Sequence, residues 1–170
     1  ALIHKERVLV FINKSEEIET TAAKLEYHGL KAAGIHGSSF KGDRKKSLED
    51  FRKGKVQLLV ASDVAARGLD ITDVNYVFNL DMPEDPQVYL HRVGRTGRAG
   101  KSGIAISVID KPELPIIHKY EKIFNIKIAA KYMANGKILD KVKSAEPIKK
   151  GEKPNHKPIN KVKSKPANIK

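Results

Sequence analysis

Cysteine and tryptophan are both missing from the 170 residues. Without cysteine there is neither a disulfide nor a thiolate metal centre, which suits a reducing compartment. Long apolar runs are missing too. A run such as Val8 to Ile12 is far too short to cross a bilayer, and no signal-peptide pattern opens the chain. The expectation is a soluble, cytoplasmic protein with no membrane partner. Acid is scarce beside base: 33 Lys and Arg stand against 20 Asp and Glu, a net charge of +13. The excess is uneven. Residues 141–170 hold ten lysines against Glu146 and Glu152, a net of +8, with four prolines and no aromatic residue. Such a stretch buries too little apolar surface to offset its ordering entropy, so a disordered tail is expected. Its charge suits an arm that attracts nucleic-acid phosphates without sequence preference, the alternative being a solvated tail.

What is present fits one domain with a sizeable core. The chain starts at Ala1 and enters a strand-like run almost at once, which suggests a fragment of something longer. Residues 8–109 alternate short β-branched or apolar runs with amphipathic stretches, the pattern of a parallel sheet flanked by helices. Strands are expected over 8–12, 30–35, 56–61, 76–80 and 104–109. Helices are expected after Ser15 as N-cap, over 43–53, after Asp85-Pro86, and over 112–124, with Gly29 and Gly54 as stops. The doubly wound α/β domain should span residues 1–130 and the basic tail 131–170. Tyr27, Tyr76, Tyr120 and Tyr132 show no stacking pattern and are expected to be packing residues.

In such sheets working residues sit beyond the carboxyl ends of the strands, and three polar clusters are expected there. They are His36-Gly37 with Lys41 and Arg44, then Ser62 to Asp70, then His91 to Arg98. Arg92, Arg95 and Arg98 fall within seven residues among Gly94, Thr96 and Gly97. Guanidinium groups this close repel one another, and their planar forks match phosphate oxygens, so the cluster fits an anion. The Gly94–Ser102 segment resembles a phosphate loop only superficially: its spacing is one residue too long, and it leads into a strand rather than a helix. No other segment supplies a phosphate loop or a magnesium-holding acidic element. His36 and His91 lack partners at metal-ligand spacing, so no metal site is expected here.

Leu58 to Ile71 and Tyr89 to Gly100 resemble motifs V and VI of the DEAD-box RNA helicases. Val8 to Asn13 is similar to motif IV, and Ile35-His36-Gly37 with Arg44 to motif IVa. The four keep the family's order and spacing across residues 8–109. The resemblance implies a RecA-like, mainly parallel α/β domain, the second of two, working as a monomer. ATP with Mg2+ would be held by the phosphate loop and acidic motif of an N-terminal RecA-like domain of the same protein. RNA would bind across both halves. Arg95 and Arg98 would be arginine fingers reaching the γ-phosphate, with Gly68 and Asp70 at the nucleotide and Asp70 accepting from the ribose. His91, Arg92 and Phe11 would couple that pocket to the domain interface. Gly37, Lys41, Arg44, Ser62 and Asp63 would hold or organise contacts to the RNA backbone. The isolated domain would then be inactive as an ATPase.

Bland roles compete. Asp70 could form a local turn or pair with Arg67, Asp63 could pair with an arginine, and Phe11 could be core. Lys41 stands where the family often has glutamine, Ser62 where it has threonine, Gln87 where many have glutamate, and Val93 where it has isoleucine. Two other functions stay open at this point: an RNA-binding module without ATPase, and a DNA-directed superfamily 2 remodeller, which the Ala65–Asp70 context disfavours.

Overall fold

The computed structural model describes residues 6–37, 41–71, 74–98, 100–134 and 137–140. Its central sheet has the order β2-β3-β1-β4-β5 and every pairing is parallel. The strands are β1 (Val8–Phe11), β2 (Ala32–Ile35), β3 (Leu58–Ala61), β4 (Tyr76–Asn79) and β5 (Ile104–Ser107). Around them run α1 (Ile18–Tyr27), α2 (Lys41–Arg52), α3 (Asp63–Ala66), α4 (Pro86–Val93) and α5 (Leu114–Phe124). This is the parallel α/β arrangement that the sequence pattern implies.

Alternation along the strands sends side chains to two faces. Val8, Val10 and Ile12 pack with Leu58, Val60 and Ala32 beneath Ile18 and Ala22 of α1. Leu9, Phe11, Leu59, Ala61 and Ile35 pack on the other face with Phe51 of α2 and Ala65 and Ala66 of α3. Strands β1 and β3 are apolar on both faces because both are covered. A third cluster joins Tyr89 of α4 to Ile117 and Tyr120 of α5.

Strands β2 and β3 are shorter than the apolar runs that encode them, because flanking Leu30 and Val56 pack against the core without pairing. Helix ends follow the sequence at several points. The Asp85 carboxylate accepts from Gln87 N–H at 2.8 Å with Pro86 behind it. At Gly29, φ is +80° and Leu30 N–H returns to the Leu25 carbonyl at 3.1 Å, a stop that suits glycine.

Ser15 corrects the expectation. It does not cap α1; a 3-10 turn over Ser15–Glu17 leads in, and its hydroxyl donates to Ser62 Oγ at 3.3 Å. A 3-10 turn, Lys111–Glu113, also precedes α5. Tyr120 is fully buried, but Tyr27 is 87% exposed and Tyr132 46%, so neither of the latter two is a packing residue.

One compact unit ends at Ile128 and a second begins at Ala129. The second holds an antiparallel hairpin, β6 (Tyr132–Ala134) with β7 (Lys137–Leu139). It replaces the expectation of unstructured chain over that stretch. Residues 141–170, the lysine-rich part read as a disordered arm, lie outside the described residues.

Candidate functional site

The carboxyl ends of the three central strands are tied together by one side chain. Arg92, on the last turn of α4, is 1% exposed. Its Nε and Nη2 donate to the two carboxylate oxygens of Asp63 at 2.8 and 2.6 Å. Nη2 also donates to Asn13 Oδ1 at 2.7 Å, and Nη1 to the Asp81 carbonyl at 2.8 Å. The guanidinium lies 5.0 Å from the centre of the Phe11 ring, within cation–π range. Asn13 follows β1, Asp63 follows β3 and Asp81 follows β4, so a single planar fork gathers all three strand ends.

Sequence reasoning missed Asn13 and Asp81. Asn13 donates from Nδ2 to the Met82 carbonyl at 3.1 Å and from its backbone to Asp81 Oδ2 at 2.8 Å. Its position directly beyond a central strand was the available signal.

Ser62 and Asp63 open α3, a four-residue helix that the sequence pattern did not reveal inside the Ser62–Asp70 segment. Ser62 is 3% exposed, and its hydroxyl accepts from Ala65 N–H at 3.4 Å. Both residues are thus engaged internally. Arg44, half-buried on α2, donates from Nη2 to the Ala65 carbonyl at 2.7 Å, while its Nε has no hydrogen-bond partner among the described residues. Gly37 is exposed two residues beyond β2, and Lys41 begins α2. Motif IVa and motif V therefore meet where Arg44 reaches the α3 backbone.

The Arg95–Arg98 turn departs from the expected place. Thr96 bridges in parallel to Val74, two residues before β4, and its hydroxyl donates to the Val74 carbonyl at 2.5 Å. The turn is anchored beside the amino end of β4, not at the carboxyl edge. Connectivity requires this, since a parallel β5 must be entered from the same edge as β4. Of the third cluster, only Arg92 reaches back to the carboxyl ends. Gly103 allows the close passage: a Cβ there would lie 2.0 Å from Thr96 Oγ1 and 2.4 Å from Gly97 N.

Arg95 is half-buried and donates to the Leu69 carbonyl at 3.2 Å, which joins motif VI to the end of motif V. Burial first, then repulsion from Arg98, hold its pKa below the ordinary arginine value, while Asp70 opposes both. Arg98 is exposed, with its Nε donating to the Gly94 carbonyl. Asp70 is exposed and pairs with Arg52, not Arg67: Arg52 Nη2 donates to the Asp70 carbonyl at 2.8 Å and lies 3.4 Å from Oδ2. Gly68 and His91 are exposed. Arg95, Arg98, Asp70 and Gly68 thus share one region, with a guanidinium short of compensating charge, an environment favourable to a polyanion.

A family model described as the helicase conserved C-terminal domain matches residues 1–100. The chain is 43% identical over 117 residues to the DEAD-box ATP-dependent RNA helicase CshA of Geobacillus kaustophilus (strain HTA426), covering 69% of this chain and 25% of that protein. Among solved structures it is similar to the E. coli DEAD-box protein SrmB bound to regulator of ribonuclease activity A. The TM-score is 0.71, with 38% identity and 75% of each chain covered. The C-terminal domain of the DEAD-box protein Dbp5 matches with a TM-score of 0.66 and 35% identity over 72% of each chain. The chain belongs to the helicase C-terminal domain family, in its DEAD-box branch. It spans about a quarter of the length of the curated relatives it matches.

Proposed function

We propose that this domain is the second RecA-like half of an ATP-dependent RNA helicase and supplies arginine fingers to ATP bound on the first half. The observation that carries the reading is Arg95. It is partly buried, fixed to the Leu69 carbonyl, and electrostatically coupled to Arg98 and Asp70. An arginine desolvated beside another cation gains most from meeting the charge of a phosphoryl transfer state. Because the turn is pinned through Thr96, the fingers move with the whole domain, and hydrolysis follows closure of the two halves.

Among the described residues no group of three or more His, Asp or Glu side chains could hold a metal ion. In this reading Mg2+ enters with the nucleotide on the first domain, where it would neutralise phosphate charge. This chain's part is Arg95 and Arg98 at the phosphates and Asp70 at the ribose. On the RNA side, Gly37, Lys41 and Arg44 are the candidate contacts. Ser62, Asp63, Arg92 and Phe11 act by holding the strand ends that position them. Contacts aimed at the sugar–phosphate backbone give little sequence preference.

The test places Arg95→Lys in a protein that carries a first RecA-like domain ahead of this one. RNA-stimulated turnover should fall by roughly 10³-fold or more, because lysine keeps the charge but loses the fork. RNA affinity should stay nearly unchanged. Turnover equal to that of the arginine protein would remove the finger assignment.

A further inference from the structure

We propose that the open flank of β2 is a docking groove for a basic, extended peptide segment of a partner protein, which adds to the sheet as a further strand. Among the described residues β2 pairs only with β3, so it forms one edge of the sheet. Leu58 N–H donates to the Lys31 carbonyl at 3.0 Å, which turns Lys31, Ala33 and Ile35 toward β3. By alternation, Ala32 and Gly34 direct their backbone N–H and C=O groups outward. Edges of this kind are usually blunted by proline, by charged side chains or by a covering element. The sequence of β2 is Ala-Ala-Gly-Ile and uses none of the first two.

The edge also lies in a groove rather than on a flat wall. A cavity of about 560 Å³ runs between α1 and α2, lined by Ala22, Ala33 and Gly34 and rimmed by Glu19, Glu26 and Asp43. Gly34 is the point where the edge is reachable, since Ala32 is 4% exposed beneath α1. A Cβ on Gly34 would come within 2.7 Å of Glu19 Oε1 and 2.8 Å of Ile18 Cγ2, so glycine lets Glu19 sit over the strand. Glu19 also lies 3.2 Å from His36 Nε2.

Charge decides the occupant. The lining carries three carboxylates and one imidazole, with no lysine or arginine, in a chain whose net charge is +13. A phosphate backbone would be repelled there. An extended peptide with alternate Lys or Arg side chains would satisfy the outward main-chain groups and place its cations against Glu19, Glu26 and Asp43.

The experiment uses the whole 170-residue chain and three synthetic peptides: acetyl-(Lys-Val)4-amide, its Glu-Val counterpart, and the Lys-Val peptide N-methylated at alternate residues. The Lys-Val peptide should bind saturably and slow amide exchange at Ala32 and Gly34 by about ten-fold or more, as pairing shields a frayed edge. A Glu19→Gln, Glu26→Gln, Asp43→Asn variant should bind it about five-fold more weakly, the scale of a few exposed charge pairs. The N-methylated peptide should also lose affinity on the unaltered chain, which keeps the test valid if the triple variant misfolds. Equal binding of the Glu-Val peptide, unchanged affinity of the N-methylated one, or protection appearing at β5 instead would overturn the proposal. So would an RNA decamer that shifts the Ala32 and Gly34 resonances, which makes the surface a nucleic-acid site. Concentration-dependent protection of the same amides without peptide would assign the edge to a second copy of the chain and likewise overturn it.

Discussion

Arg92 and Asp63 form a two-pronged ion pair at 2.8 and 2.6 Å in which the arginine is buried and the carboxylate only partly so. The pair lies 29 residues apart in sequence and links the end of α4 to the start of α3. It converts two stretches of helicase motif into one rigid piece.

Replacing Arg92 by methionine keeps much of the packing against Phe11 but strands Asp63, Asn13 Oδ1 and the Asp81 carbonyl. Removing one partner of a buried, hydrogen-bonded pair costs about 3–5 kcal/mol, and the partial exposure of Asp63 favours the lower end. Urea unfolding should show a drop of about 3 kcal/mol with an unchanged m-value. Arg92→Lys should recover only part of it, because an ammonium cannot reach both carboxylate oxygens and Asn13 together. A loss below about 1 kcal/mol for Arg92→Met would mean that water replaces the arginine without penalty.

The Arg95–Arg98 turn depends on Thr96 and Gly103 as a fitted pair. Thr96→Val keeps the shape and removes the hydroxyl that donates to the Val74 carbonyl, so it should cost about 1 kcal/mol. Gly103→Ala drives a methyl into Thr96 Oγ1 and Gly97 N and should cost more, about 1–3 kcal/mol, because backbone must shift. In a two-domain protein Gly103→Ala should also lower turnover, since the displaced segment carries Arg98. Thermal unfolding of both variants checks the order, and a Gly103→Ala protein as stable as the parent would contradict the close packing.

Much of this architecture was legible because both faces of the sheet are covered. Strands β1 and β3 then read as unbroken apolar runs, and turn chemistry at Gly29 and Asp85 marked helix ends. Motif strings led to Arg92, Arg95 and Asp70 without any structure. What the sequence could not deliver were relations across the fold. Arg52 is 18 residues from Asp70, and no local pattern links the two. Helix α3 is too short to show a period, and Ser62 gave the same hydroxyl signal whether it capped a helix or touched a ligand. The Arg95–Arg98 turn was misplaced for a topological reason: strand order decides which edge a loop occupies, and local pattern says nothing of strand order. The hairpin after Ile128 had a signal, Asn135-Gly136 between short apolar runs, masked by the lysine-rich charge of residues 141–170.

Acid should loosen the end of α5 before the rest of the domain. Glu121 accepts from Ile128 N–H at 2.8 Å and meets His118 Nδ1 at 3.2 Å. The Ile128 bond first, then His118, hold its pKa below the ordinary value of 4.5. A carboxyl group with a depressed folded-state pKa contributes stability that is present above its unfolded value and fades as pH falls through the folded one. The protection factor of the Ile128 amide should therefore fall on acidification below about pH 4.5. Glu121→Gln should flatten that dependence while leaving β1 and β3 protected. An Ile128 amide whose protection is independent of Glu121 would refute the link.

Arg52 offers a separate probe of the ribose assignment. It holds Asp70 by a backbone bond at 2.8 Å and a longer side-chain contact at 3.4 Å, both at the surface. Exposed pairs of this kind are worth at most about 1 kcal/mol, or about five-fold in an equilibrium. In a two-domain protein Arg52→Ala should raise KM for ATP by about two- to five-fold with kcat little changed, because orientation of Asp70 is lost while Arg95 and Arg98 remain. Asp70→Ala should have the larger effect on KM, and in its presence Arg52→Ala should add nothing. If the two substitutions act independently, or if Arg52→Ala lowers kcat instead, Arg52 does not work through Asp70 and the carboxylate is not the ribose acceptor.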